Sequence, residues 1–302
     1  MTLPAIVAMV LAAAVPAWWP WRATRRRAAE RAISRRLPLG SAGIVRGAEP
    51  ILEGTSARAA LLLHGFGDTP ESLAPLARRL LDAGWSVSVP LLPGHGRTLA
   101  DFHSARAEDW VRHAHHAYDE LTARHSCVVV CGQSMGAALA LDVAVTHGAP
   151  ALALLAPYIS MPLAGRVAAA ARPLVQALNP VLRTRDERSM HDPDAAARSL
   201  AYGYTTPRLL SELWHMVRLA RRQLYVVETP TLIVHSREDN RVPPREVFRA
   251  AKNVTHAEKA LHWVSGCGHV LTADYCKDAV ATLVIDWFER CTAMQSAPTH
   301  AR

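Results

Sequence analysis

The stretch Val128-Val129-Val130-Cys131-Gly132-Gln133-Ser134-Met135-Gly136-Ala137-Ala138-Leu139-Ala140 decides how the chain is read. A β-branched apolar run breaks at a glycine, passes one serine, and continues as an Ala/Leu-rich helical pattern. Gly132-x-Ser134-x-Gly136 between a strand and a helix marks a tight elbow that lifts the serine hydroxyl clear of the backbone. So sharp a turn leaves no room for side chains two residues before or after the serine, which is the steric task of the two glycines. The helix that follows turns its N-terminal amides to the same point, where developing negative charge is favoured. The five-residue pattern alone recurs by chance in many chains; the strand before it and the helix after it give it weight.

Outward from the elbow, strand-like and helix-like runs alternate, which predicts an α/β fold with a mostly parallel sheet covered on both faces. The strand candidates are Ala59–Leu63, Trp85–Val89, Cys127–Cys131, Leu152–Leu155, Thr231–His235 and Lys259–Val264, several of them continuously apolar as expected for strands buried on both sides. The helix candidates are Pro70–Ala83, Ala107–Arg124, Met135–Thr146, Pro244–Ala251 and Asp274–Arg290. Ile44 to Gly54 carries a poor signal for a first strand or hairpin. The rhythm breaks over residues 158–226, where no convincing strand is expected and helical pieces are punctuated by Pro162, Pro173, Pro180, Pro193 and Pro207. That stretch reads as a cap insertion over the site, leaving residues 44–157 and 227–292 as the core and 293–302 as a tail.

A serine nucleophile needs a base to take its proton and an acid to orient that base. Two loops after Ser134 fit, each just past the C-terminal end of a strand, where open α/β sheets collect their sites. The first is Ser236-Arg237-Glu238-Asp239-Asn240-Arg241-Val242-Pro243. The second, Ser265-Gly266-Cys267-Gly268-His269-Val270, offers His269 between small residues as the base. Asp239 is the favoured acid, with Glu238 and Asp274 as rivals. Two backbone N–H donors are expected to hold an oxyanion: Met135, directly after the serine, and Phe66 in His64-Gly65-Phe66-Gly67, where flanking glycines let the backbone approach. His64 is expected to brace that loop.

These residues resemble the α/β-hydrolase-fold serine esterases, among them bacterial carboxylesterases and monoacylglycerol lipases. The shared pieces are Leu62-Leu63-His64-Gly65-Phe66, Leu92-Pro93-Gly94-His95-Gly96, Gly132-Gln133-Ser134-Met135-Gly136, Asp239-Asn240-Arg241-Val242-Pro243 and Gly268-His269, running from about residue 45 to 290. The resemblance implies a helical cap that shapes an acyl pocket and an acyl-enzyme mechanism carried by Ser134, His269 and Asp239 without a cofactor. The substrate it implies is a small ester such as an acylglycerol. Gly136-Ala137 departs mildly from the Gly-Gly that many relatives carry after the methionine. Thioesterase, acyltransferase and peptidase activities use the same residues and stay open, as does, less favoured, a non-catalytic membrane-tethered binding protein.

The net charge of +8 invites a nucleic-acid partner, but its distribution argues otherwise. Seven arginines and one acid lie between Arg22 and Arg36, a local balance of +6 that leaves only +2 for the rest of the chain. This cluster directly follows residues 2–21, which lack any charged side chain and contain Trp18, Trp19 and Trp21. An uncharged run long enough to span a bilayer, closed by tryptophans and then arginines, predicts an N-terminal membrane anchor over residues 1–21. Residues 22–43 then form a basic juxtamembrane segment and linker, with the catalytic domain on the cytoplasmic side. One alternative is a cleaved signal ending at Val15-x-Ala17, which would leave the protein secreted or periplasmic; another is an amphipathic extension lying on the surface.

Five cysteines at 127, 131, 267, 276 and 291 form no metal-like pair. They read as reduced structural thiols, which suits a reducing compartment. His113, His115 and His116 read as an exposed polar face of a helix whose apolar stripe is Trp110, Ala114, Ala117 and Leu121; no ligand set for a metal surrounds them.

Overall fold

A computed structural model describes residues 3–184 and 189–296, with side chains described from residue 19 to 293 within those ranges. In chain order the first half comprises α1 (Leu3–Arg36), β1 (Ile51–Glu53), β2 (Arg58–Leu63), α2 (Ala74–Asp82), β3 (Ser86–Val89), α3 (Leu99–Ser104), α4 (Ala107–Thr122), β4 (Cys127–Gln133) and α5 (Met135–His147). Then follow β5 (Leu152–Leu155), α6 (Leu163–Ala170), α7 (Arg172–Leu178), β6 (Leu182–Arg183), α8 (Pro193–Arg198), β7 (Tyr204–Thr205), α9 (Pro207–Gln223), β8 (Thr231–Ser236), α10 (Pro244–Asn253), β9 (Lys259–Val264) and α11 (Lys277–Ser296).

Seven strands form one sheet in the order β1-β3-β2-β4-β5-β8-β9, parallel throughout except for the antiparallel edge strand β1. Because strand side chains alternate between faces, the apolar runs feed two separate cores. Leu61, Leu63, Val128, Val130, Leu152, Leu154 and Ile233 face one core, which also takes in the buried sides of α4, α5, α9 and α10. Leu62, Val129, Cys131, Ala153, Leu155, Leu232 and Val234 face the other, beneath α2 and α11. The expected stripe of α4 is buried as Trp110, Ala114, Ala117 and Leu121. The weak signal before residue 54 resolves into the three residues of β1.

Between β5 and β8 the chain makes a helical excursion above the C-terminal ends of the strands. It is not strand-free: β6 and β7 pair antiparallel, Leu182 with Thr205 and Arg183 with Tyr204. Helix α9 returns the chain to β8, its Leu209, Leu213, Met216, Val217 and Ala220 buried.

The N-terminal expectation is corrected. Among the described residues no helix is long and apolar enough to cross a membrane, so neither a single anchor nor the cytoplasmic placement built on it stands. The apolar run passes without a break into the arginine-rich half of one helix, α1, and that half packs on the protein itself. Ala29, Ile33 and Leu37 are buried in the first core; burying a side chain the size of Ile33 or Leu37 stabilises by roughly 1.5–3 kcal/mol. Arg25 donates to Asn179 Oδ1 at 3.1 Å, and Glu30 Oε1 accepts the Leu99 N–H at 3.2 Å. The segment after α1 is docked as well, Leu39 bridging to Val45 and the Val45 N–H donating to Gly96 O at 2.7 Å. The alternative cleavage site at residues 15–17 falls on side chains outside the described set.

The cysteine expectation is corrected too. Cys267 and Cys276 form a disulfide with a Cα–Cα separation of 5.9 Å, and Cys127, Cys131 and Cys291 are free. Spacing alone held no clue, because the eight residues of irregular loop between them fold back to bring the two together.

Candidate active site

The elbow is built as its glycines require. Ser134 has φ 56° and ψ −117°, a conformation costing a non-glycine residue of order 1–3 kcal/mol. A Cβ on Gly132 would sit 2.1 Å from Gly136 O, and one on Gly136 would sit 1.9 Å from Leu63 O. β4 therefore delivers Ser134 to the C-terminal edge of the sheet, with α5 starting at the next residue.

Ser134 Oγ lies 2.8 Å from His269 Nε2, and His269 Nδ1 lies 2.7 Å from Asp239 Oδ2. The other carboxylate oxygen, Asp239 Oδ1, accepts the N–H groups of Arg241 at 2.6 Å and Val242 at 2.9 Å. Burial pushes the Asp239 carboxyl up, but the attraction and hydrogen bond of His269, the nearby His235 and the Val242 amide together hold it below the usual carboxylate range. The ionised form is thus the one the site favours. Of the two rival acids, Glu238 pairs with Ser236 Oγ at 3.1 Å.

Asp274 has a different place. Its side chain is fully buried and accepts four backbone N–H groups: Gly268 at 2.7 Å, His191 at 2.8 Å, Asp192 at 2.9 Å and Tyr275 at 2.8 Å. It therefore joins the loop carrying His269 to residues 191 and 192 of the excursion. The Cys267–Cys276 disulfide closes the same loop. From the other side, Gln133 Oε1 accepts from Thr272 N at 3.2 Å and Thr272 Oγ1 at 2.9 Å. The residue just before the serine thus pins the histidine loop. No spacing in the sequence marks Asp274 as such a hub; only its nearness to His269 singled it out.

On the opposite side stands the loop after β2. Gly65 allows the close approach expected of it, since a Cβ there would lie 3.3 Å from Ser134 Cβ. Phe66 packs against Phe102 and Trp110 at ring separations of 5.1 and 6.0 Å. Phe66 and Met135 thus flank Ser134. His64 braces this loop, its Nε2 accepting the Leu92 N–H at 3.1 Å. Burial lowers its pKa to about 4, so it stays neutral and keeps that acceptor at neutral pH.

Ser134 and His269 open into a cavity of about 330 Å³ whose wall includes Phe66, Tyr158, Met161 and Leu213. Its polar lining holds Asp68, Arg241 and Arg36; Arg241 appeared in the sequence only as part of the loop carrying Asp239, Arg36 only within the basic cluster, and Asp68 not at all. Burial raises the Asp68 pKa to about 6, and burial together with Asp68 raises that of neighbouring Glu71 to about 7. Elsewhere, His115 is not simply an exposed residue: it lies 2.8 Å from His147 Nε2 and 3.0 Å from Asp142 Oδ2. Among the described residues no cluster of three or more His, Cys, Asp or Glu could hold a metal ion.

The sheet order, the strand–serine–helix elbow and the helical excursion define an α/β-hydrolase fold and a serine hydrolase. The chain belongs to the serine aminopeptidase S33 family, whose model matches residues 55–275. It is similar to a thermostable monoacylglycerol lipase of Bacillus sp. (strain H-257), 28% identical over 82% of this chain and 96% of the relative. A carboxylesterase of Bacillus subtilis (strain 168) is 23% identical over 77% of this chain and 93% of its own length. Among solved structures, one from a study of the metagenome-derived lipolytic enzymes LipS and LipT superposes with a TM-score of 0.73. It is 27% identical, covering 82% of this chain and 99% of that one.

Proposed function

We propose that this protein hydrolyses carboxylic esters through an acyl-enzyme, with Ser134 as nucleophile, His269 as general base and then acid, and Asp239 as the orienting carboxylate. The observation that carries the reading is the hydrogen-bond chain Ser134 Oγ to His269 to Asp239, at 2.8 and 2.7 Å, opening on a largely apolar cavity.

His269 Nε2 takes the proton of Ser134 as Oγ bonds to the ester carbonyl carbon, and the carbonyl oxygen becomes an oxyanion. The N–H groups of Phe66 and Met135 donate to it, where preorganised dipoles need no rearrangement as charge develops. The intermediate collapses, the carbon–oxygen bond to the alcohol breaks, and His269 gives its proton to the departing alkoxide. Water then attacks the acyl-Ser134 ester, His269 taking its proton, and the second collapse returns that proton to Ser134 Oγ while the acid leaves. Asp239, kept ionised, holds the imidazole in one orientation and stabilises it when charged.

The apolar wall of Phe66, Met161 and Leu213 favours an acyl chain, and the monoacylglycerol lipase and carboxylesterase relatives support monoacylglycerols or similar esters as substrates. A panel of p-nitrophenyl esters of rising chain length, monoacylglycerols, acyl-thioesters and aminoacyl amides tests the reading. Ester cleavage should lead the panel and vanish in Ser134→Ala. Faster cleavage of the thioesters or amides, or full ester activity in the variant, would sink it.

A further inference from the structure

The family match begins at residue 55, yet α1, which ends at Arg36, reaches the active-site cavity. Arg36 lines the same space as Ser134 and His269. Its Nη1 donates to the carbonyl of Ser199 at 2.8 Å, and its Nη2 donates to the carbonyls of Ala201 and of Tyr202, the latter at 3.0 Å. One planar fork thus gathers three carbonyls of a segment whose Ser199 and Ala201 face the cavity. A guanidinium can do this because its donors have fixed directions, which an ammonium lacks.

The segment continues into the loop beside the serine. The Tyr202 N–H donates to Gly67 O at 2.9 Å, and Gly67 follows Phe66. Tyr202 is itself fixed, its ring stacked on Phe102 at 4.9 Å and its hydroxyl accepting the Arg97 N–H at 2.8 Å. An unbroken series of contacts therefore runs from the last turn of α1 through residues 199–202 to the backbone that carries the Phe66 amide. Burial of Ile33 and Leu37 keeps Arg36 at its post.

We propose that Arg36 is a positioning residue of the active site: it draws residues 199–202 into the cavity wall and, through Tyr202, holds the Gly67 end of the loop whose Phe66 amide faces the reacting carbonyl. This rests on the ester-cleaving reading of Ser134. A small displacement of an oxyanion donor costs rate more than binding, because the donor acts mainly on charge that appears in the transition state. A loop tie with no such part would lower the melting temperature and leave turnover in the folded protein unchanged.

The test compares full-length Arg36→Ala, Arg36→Lys and Arg35→Ala, the last on an exposed position of the same helix. Melting temperatures come first, then kcat and KM for p-nitrophenyl esters at a temperature where circular dichroism shows every variant folded. Arg36→Ala should lose on the order of ten- to a hundredfold in kcat, with a smaller change in KM. Arg36→Lys should fall between it and the wild type, and Arg35→Ala should match the wild type. Millimolar guanidinium should restore part of the kcat of Arg36→Ala. Wild-type kcat in folded Arg36→Ala overturns the proposal. If that variant does not fold, wild-type kcat in Arg36→Lys does the same. Labelling of wild-type Ser134 by a fluorophosphonate separates the two readings: without it the ester reading falls, whereas labelling alongside unaltered Arg36 variants removes only the positioning role.

Discussion

The carbonyl of Ser189 accepts the backbone N–H of His269 at 2.9 Å. Ser189 belongs to the excursion between β5 and β8, so the segment over the cavity also grips the histidine at its mouth. Its hydroxyl also accepts from Arg241 Nε at 2.9 Å, two residues from Asp239. One residue of the excursion therefore touches both loops that carry the proposed base and acid.

Asp274 should matter for the same reason. In Asp274→Asn a single carbonyl oxygen replaces two carboxylate oxygens facing four amides, and an unsatisfied buried donor costs about 1–3 kcal/mol. The variant should melt several degrees lower and lose roughly tenfold in kcat even where fully folded. Steady-state kinetics normalised to active sites titrated by a p-nitrophenyl ester burst checks this.

Asp239→Asn should retain the fold, because Asn Oδ1 can still accept the Arg241 and Val242 amides. Its amide in place of the second oxygen removes the charge that orients His269, and kcat should drop by about 10³–10⁴. Stopped-flow acylation with p-nitrophenyl acetate measures the loss at the step where it arises.

Asp68 and Glu71 predict an unusual pH dependence of stability. Both carry folded pKa values raised above their ordinary ones, to about 6 and about 7. The native state therefore holds protons that the unfolded chain releases, and these two groups lose stability as pH rises from about 4 to about 7. In Asp68→Asn the melting temperature should exceed that of the wild type by a few degrees at pH 8, a gain that vanishes near pH 4. Equal melting curves at pH 8 would show that Asp68 is not held against its charge.

The Cys267–Cys276 disulfide closes a nine-residue separation, for which chain entropy gives about 2–3 kcal/mol. Cys267→Ser/Cys276→Ser should unfold at correspondingly lower denaturant. Adding a thiol reductant should shift the wild type toward that value and leave the double variant where it was.

Gly136→Ala tests the elbow. The methyl would meet the Leu63 carbonyl at 1.9 Å, contact with rigid backbone at the centre of the sheet. Insoluble or unfolded protein is expected, and an active, folded variant would contradict the packing described.

Much of this was legible in the residues. Buried parallel strands are continuous apolar runs, so the central sheet could be read directly, and Gly132, Ser134 and Gly136 admit few local structures. The loops bearing Asp239 and His269 were legible from their places at strand ends. What stayed hidden depends on partners without side-chain identity. Arg36 meets backbone carbonyls more than 160 residues away, and Asp274 accepts four backbone amides. Neither acceptor nor donor of that kind leaves a mark in a sequence. The same blindness touched α1: its arginine-rich half has one composition whether it lies on lipid headgroups or packs through Ala29 and Ile33 on the protein itself. β6 and β7, two residues each, are too short for any periodicity to show.

Strands β5 and β8 lie side by side, Leu152 against Thr231 through Leu155 against Val234, and everything between them leaves that register untouched. Lengthening such a detour costs little entropy, so descendants of this chain are free to exchange it wholesale and so acquire new substrate preferences. The grip of Ser189, His191 and Asp192 on the histidine loop sets the condition for such a transplant. On the proposed mechanism, a borrowed stretch must arrive with one carbonyl and two amides in the same places to keep His269 against Ser134.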